Sequence, residues 1–152
     1  MGFANRGEHA EKKVKEFLEE WQAASPYREY SRLTDTKAAG RIIKAADADF
    51  AYYCEHFENM AQHGLIEVKE TEHLYRLGRE RVTQLPRMRK REKCGGRSVV
   101  VVYHSVSKLW RALSVPYLEK TGDKGSWNLS GVREYTTAGE ALQSFSKGVF
   151  GL

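Results

Sequence analysis

Cysteine is scarce in this chain, with only Cys54 and Cys94 among 152 residues. Two cysteines cannot make the disulfide framework of a small secreted scaffold. His9, His56, His63, His73 and His104 show no metal spacing with them, so a zinc cage is not expected and the histidines read as structural or surface residues. No apolar run approaches the roughly 18 residues of a membrane span. The opening Met1-Gly2-Phe3-Ala4-Asn5-Arg6-Gly7 has no apolar stretch before its charges begin, so no secretory signal is expected. There is no Gly-x-x-x-x-Gly-Lys-Ser/Thr loop, so no nucleotide cofactor is expected. Ser98, Ser105 and Ser107 lack a nearby acid–base pattern, which speaks against a serine hydrolase. Internal repeats and low-complexity runs are missing too.

What is present is ordinary for a globular chain, 41% hydrophobic and 30% charged. Lys and Arg number 25 against 20 Asp and Glu, a net charge of +5. That balance fits a polyanionic partner and says nothing of fold. The length predicts a single domain over 1–152, with a core over about 6–117 and a glycine-rich tail over 118–152 holding a short helix. The expected compartment is the cytoplasm, or the host's if the chain is phage-encoded.

Ala10, Val14, Phe17, Leu18 and Trp21 recur at helical spacing and predict a first helix, with Asn5 as a cap upstream and Ser25-Pro26 as the stop. Residues 27–33 read as a strand and 34–39 as a loop, before the apolar pair Ile42-Ile43. Residues 48–54 are aromatic and read as a strand, 58–64 as a turn, and 65–69 as a second strand. Residues 79–93 are strongly basic and predict a helix that Pro86 must enter in its first turn or bend; Cys94-Gly95-Gly96 stops it, with Cys94 packed. Residues 98–104 form the most hydrophobic run and predict a buried central strand, paired as a hairpin with 108–113. Thr137-Ala138-Gly139-Glu140 reads as a capping box opening a short helix through Phe145. The sum is α/β: a mixed five-stranded sheet flanked by helices, not a doubly wound one. The tail aromatics Trp127, Tyr135, Phe145 and Phe150 either pack on the domain or bridge to a partner subunit.

Three acids and one lysine carry the chemistry. Glu67 and Lys69 stand two apart on a strand, so both side chains leave one face. Asp49 sits on the preceding strand. Two carboxylates there can share a divalent cation such as Mg²⁺, which takes oxygen ligands, and a lysine beside it can orient or deprotonate an attacking water. Phosphodiester hydrolysis uses this set. The first helix offers a third acid. With Ala10 at zero on the helical wheel, the apolar stripe spans roughly −20° to +80°, Glu11 falls near 100° and Glu8 near 160°. Glu11, at the edge of the buried face, is therefore preferred. A Glu-x-Lys on a strand is also common as plain surface charge.

A helix Glu, a strand Asp and then Glu-x-Lys is the pattern of the PD-(D/E)xK nuclease superfamily. More narrowly, the chain resembles the archaeal-type Holliday junction resolvases, which also occur in phages. Arg6-Gly7-Glu8-His9-Ala10-Glu11-Lys12 is similar to that family's opening, and Ile66-Glu67-Val68-Lys69 to its metal-binding strand. His73-Leu74-Tyr75, the basic segment ending Cys94-Gly95-Gly96, residues 98–104 and Trp110-Arg111 follow in the family's order, so the likeness covers about 6–117. The chain departs in a longer segment between Arg32 and Asp49, in Ala48 where the superfamily has Pro, and in the tail after Lys120. The resemblance implies a restriction-endonuclease-like core and a Mg²⁺ site, with Mn²⁺ able to substitute. Its acids would be Glu11, Asp49 and Glu67, and its catalytic lysine Lys69. It further implies a basic residue at Lys12, an arginine at Arg32 (Arg28 second), a homodimer, and resolution of four-way DNA junctions by paired nicks.

From Arg76 to Arg97 nine basic residues face only Glu80 and Glu92. This block, with Arg79, Arg81, Arg87, Arg89 and Lys90, suits a phosphate backbone, as do Lys12, Arg32 and Lys37. Arg41 and Lys44 share the bias. Two alternatives stand beside the resolvase reading: another nuclease of the same superfamily, and a nonenzymatic basic DNA-binding module. An RNA-binding protein is a weaker third, since no paired exposed aromatics on central strands argue for it.

Overall fold

The apolar stripe of the first segment becomes α1 (Glu8–Ala23), which buries Ala10, Val14, Phe17, Leu18 and Trp21. The computed structural model describes residues 7–55, 62–120 and 125–152. Asn5, expected as the cap, lies outside them; Gly7 holds the N-cap position at φ 95°, a conformation open to glycine without a Cβ penalty. The strands among the described residues follow in chain order: β1 (Glu29–Arg32), β2 (Thr36–Ala38), β3 (Arg41–Lys44), β4 (Phe50–Tyr53), β5 (His63–Thr71), β6 (Arg76–Gly78), β7 (Val99–His104), β8 (Leu109–Ser114) and β9 (Ser126–Asn128). The helices after α1 are α2 (Leu85–Lys93), α3 (Val115–Glu119), α4 (Ala138–Phe145) and α5 (Lys147–Phe150).

Five strands form one mixed sheet in the order β1-β4-β5-β7-β8, the expected α/β class. All its pairs are antiparallel except β5–β7. A parallel pair needs a crossover, and α2 lies in it. Successive side chains of the central strands leave opposite faces, so the sheet feeds two cores. Ile66, Val68, Val99, Val101 and Tyr103 meet α1, α4 and α5. Leu65, Val100, Val102 and Leu113 meet α2, α3 and the β6–β9 pair.

The structure corrects several local readings. Residues 34–39 are not all loop, because β2 pairs with β3 around Ala39-Gly40, both at positive φ. These strands are too short and polar for a hydrophobic alternation, so only the turn could have announced them. The basic segment is a 3₁₀ turn at Arg79–Arg81 and then α2, which starts later than expected with Pro86 in its first turn. Proline is tolerated there because that N–H has no helical partner to lose. Cys94 closes α2, but it is exposed rather than packed; Cys54 is buried and both thiols are free. Of the expected 58–64 turn, His63 and Gly64 instead open β5, and residues 58–61 lie outside the described ones.

The tail packs on the domain. Trp127, Phe145 and Phe150 are buried and Tyr135 partly so. Thr137 caps α4, its hydroxyl accepting the Glu140 N–H at 3.1 Å, as the capping box required. A Cβ on Gly139 would come within 2.6 Å of the Phe17 ring, so glycine lets α4 approach α1. The Phe150 ring meets those of Tyr52, Trp21, Phe145 and Phe17 at 5.0, 5.6, 6.3 and 6.5 Å. The Trp21 indole N–H donates to the Val149 carbonyl at 2.6 Å. Phe150→Ala should therefore cost about 3–5 kcal/mol, read as a lowered urea midpoint at unchanged slope. A loss below about 1 kcal/mol would mean the chain's end is not part of the core.

Candidate active site

β4 pairs with β5 over only four residues, from Tyr53 opposite His63 to Phe50 opposite Ile66. β5 continues to Thr71 with β7 alone beside it. Where β4 departs, a backbone N–H of β5 would lose its partner, which a buried strand cannot leave unmet. The Asp49 side chain takes the place of the missing strand: the Val68 N–H donates to its Oδ2 at 2.7 Å. Asp49 thus lies not within a strand, as expected, but in the bend before β4. Its own carbonyl accepts the Leu33 N–H at 2.9 Å, which ties the bend to the end of β1.

Glu67 is 2% exposed at the centre of β5. Its Oε2 has no hydrogen-bond partner. The Lys69 ammonium stands 3.7 Å from it, near enough to offset charge and too far to bond. Glu11 reaches the same place from α1, while Glu8 stays exposed, as their angular positions on the helix required. The Arg32 guanidinium pins the assembly, 2.8 Å from Glu11 Oε2 and 3.9 Å from Asp49 Oδ1, with its plane over the Phe50 ring. Together Glu11, Asp49, Glu67 and Lys69 line a cleft of about 240 Å³. Arg28, the second choice, is not there. It donates to the Trp21 and Gly151 carbonyls at 3.1 and 2.9 Å and clasps the chain's end to α1.

Five further residues line the cleft: Gly7, Val68, Glu70, Arg81 and Gln84. Arg81 was expected on phosphate; its Nη2 donates to the Glu70 carbonyl at 2.6 Å, fixing the turn after β6 to β5. Glu70 and Gln84 were not foreseen. Glu70 follows Lys69 directly and its Oε1 is buried without a bond, but no spacing rule marks either residue.

Burial pushes the Glu67 carboxyl up to about 9; the Asp49 carboxyl beside it adds to this and Lys69 opposes it. Glu11 is raised to about 7, again first by burial and then by Asp49, against Arg32. Among the described residues no three acid, histidine or cysteine side chains stand arranged as a ready metal cage. The donors nonetheless fit a hard cation: the oxygens belong to carboxyl groups, and Oε2 of Glu67 is buried and unbonded. Asp49 and Glu67 are the two carboxyls that could donate to an ion such as Mg²⁺, while Glu11 is engaged by Arg32.

The remaining basic residues divide. Lys12 and Lys37 are exposed, as is Lys90. Arg87 and Arg89 are half-exposed but paired, with Asp47 at 2.7 Å and Glu119 at 2.5 Å, and tie α2 to the bend before Asp49 and to α3. The Arg79 guanidinium lies over the Trp127 ring at 4.7 Å. The block is therefore partly neutralised by acids distant in sequence.

One fully buried cation was missed altogether. Arg111 on β8 donates to the carbonyls of Val132 and Leu74 and to Glu134 at 2.9 Å. His104 bonds the His73 carbonyl at 2.8 Å and so offers its other ring nitrogen to Arg111. This network clamps residues 132–134 of the tail to the sheet and is structural. The chain matches no protein-family model and no curated protein sequence against which it was compared.

The raised acids make stability depend on pH. Free Glu67 would ionise near 4.5, whereas the folded chain holds its proton to about 9. The folded state thus binds more protons between those values, and stability falls as pH rises through them. Each tenfold difference in proton affinity between the folded and unfolded chain is worth about 1.4 kcal/mol. Glu67→Gln, which keeps the shape and cannot ionise, should melt several degrees above wild type at pH 8 and nearly with it at pH 5. Equal melting temperatures at both values would mean that Glu67 ionises normally.

Proposed function

We propose that this chain is a metal-dependent DNA endonuclease acting on branched duplex DNA, with the four-way junction as its preferred substrate. The observation that carries the reading is the buried Glu67 carboxyl between Asp49 and Lys69 at an open cleft, its Oε2 without a hydrogen bond. An acid kept in a low-dielectric place without a hydrogen bond reduces stability, and such groups cluster where chemistry needs them. Its place in the fold, a Glu-x-Lys strand with an Asp at the departing neighbour and a Glu on the preceding helix, supports the resemblance to the PD-(D/E)xK nucleases.

In this reading Asp49 and Glu67 hold the cation, which when bound lowers the pKa of a water and offsets charge on the phosphate. Asp49 serves it without rotating, because its second oxygen is committed to the Val68 N–H. Lys69 orients the attacking water toward phosphorus and balances the developing charge from the other side. Arg32 contacts both Glu11 and Asp49 and holds them in place. As the water's oxygen bonds to phosphorus it gives up a proton to solvent, one P–O ester bond breaks, and the leaving oxygen takes up a proton from solvent. Two symmetric nicks in a junction call for two such sites, and a C2 dimer supplies them.

The test is a labelled four-way junction beside a linear duplex, with Mg²⁺ and with EDTA. Paired nicks in the junction alone are expected, abolished by EDTA. Glu67→Ala and Lys69→Ala should each slow cleavage roughly 100-fold or more while leaving binding near wild type. Equal cutting of linear duplex would keep a nuclease and remove the junction preference. Salt-sensitive binding with no cleavage under any divalent ion would leave a basic DNA-binding module.

A further inference from the structure

Between β1 and the acid cluster, the chain builds a two-stranded ribbon of β2 and β3 that joins no other strand among the described residues. Residues 36–42 and 44 are all exposed. The turn Ala39-Gly40 has φ 52° and 78°, the pair of positive values that suits a tight two-residue hairpin. Its base is closed by the Ala46 N–H, which donates to Asp35 Oδ1 at 2.8 Å. Residues 36–46 contain Lys37, Arg41 and Lys44 and no acid. Ile42 lies directly across from Lys37 and is 58% exposed. Lys44 lies across from Thr36, past an irregularity in the pairing, so the cations flank Ile42 along the ribbon. A cleft of about 600 Å³ runs from Lys37 to Arg32 and Asp49 of the site.

An isolated two-stranded ribbon is marginal in water, and an exposed isoleucine adds nothing to it there. Its occupant must therefore accept three cations and one apolar side chain on a narrow, stiff element. A second copy of the ribbon would meet like charge. A DNA groove admits a two-stranded ribbon, supplies phosphates on both sides, and offers base steps that an apolar side chain can part.

We infer that the β2–β3 ribbon enters branched DNA beside the acid cluster, with Ile42 pressed against the bases at the branch and Lys37, Arg41 and Lys44 on the flanking phosphates. The inference takes its ligand from the proposed function and needs no cleavage. A branch point suits it because the base step there is already the weakest. Opening it would bring a backbone phosphate along the cleft toward Asp49.

The experiment is carried out in EDTA, where no cutting occurs, with a four-way junction carrying 2-aminopurine at the branch. Wild type should raise its fluorescence on binding. Ile42→Ser should bind and lose most of the rise, Ile42→Leu should restore it, and Val106→Ser, another exposed apolar position at the β7–β8 turn, should match wild type. Replacing Lys37, Arg41 and Lys44 together by Ala should flatten the salt dependence of binding by about 2 to 3 in log–log slope. A full rise with Ile42→Ser, an unchanged slope, or no rise with wild type overturns the inference. If the ribbon variants behave as expected but wild type never cuts with Mg²⁺, the nuclease reading falls and the ribbon stands. If wild type resolves junctions and the variants match it in every readout, the nuclease stands and the ribbon falls. Absence of any junction binding removes both.

Discussion

One hydrogen bond organises the candidate site: the Val68 N–H donating to Asp49 Oδ2. A sheet that loses a strand partway along its neighbour must cover the N–H groups left behind. Here the cover is a carboxylate, placed by the bend that starts β4. That choice brings an acid within reach of Glu67 and Lys69, which occupy the same stretch of β5. It also fixes the path of residues 46–49, and with them the base of the β2–β3 ribbon and the Asp47 partner of Arg87. A neutral cap such as Asn or Ser would satisfy the backbone equally well, but only a carboxylate adds charge to the cluster.

The charge around that bond is unbalanced. Glu67 is buried with one oxygen unbonded, and burial raises both it and Glu11. Arg32 and Lys69 supply the opposing charge from opposite sides, the first by contact with Glu11 and the second at a distance from Glu67. Such an arrangement trades stability for a crowded group of acids at an open cleft. Exposed Lys37 lines the cleft that leads to this group.

Much of the periodicity was readable before any coordinates. The stripe from Ala10 to Trp21, the run of β7 and the capping box at Thr137 each depend on neighbours a few residues away, and each appears as expected. Two-residue alternation on β5 placed Glu67 and Lys69 together, and the wheel angle placed Glu11 rather than Glu8 at the cleft. The β2–β3 ribbon escaped because its strands are too short for an alternation to show, and α3 and β9 because they are short and owe their form to packing. Arg111 escaped because an arginine in an apolar strand looks like any surface-facing one until its partners are assembled from Leu74, His104, Val132 and Glu134, with the Tyr75 ring beneath.

The sequence by itself determined the elements that local spacing can encode, the mixed α/β class, and that Glu67 and Lys69 share a face. Tertiary structure decided the rest. It chose Arg32 over Arg28 for the acids, neutralised Arg87 and Arg89, moved Asp49 out of its strand and folded the tail aromatics into the core. The physical reason is range. Backbone periodicity is set by the next few residues, whereas an ion pair between Arg87 and Asp47 or a bond from Trp21 to Val149 joins groups 40 and 128 residues apart. Whether a charge meets solvent, an acid or a buried ring depends on which distant element the packing of the two cores brings against it.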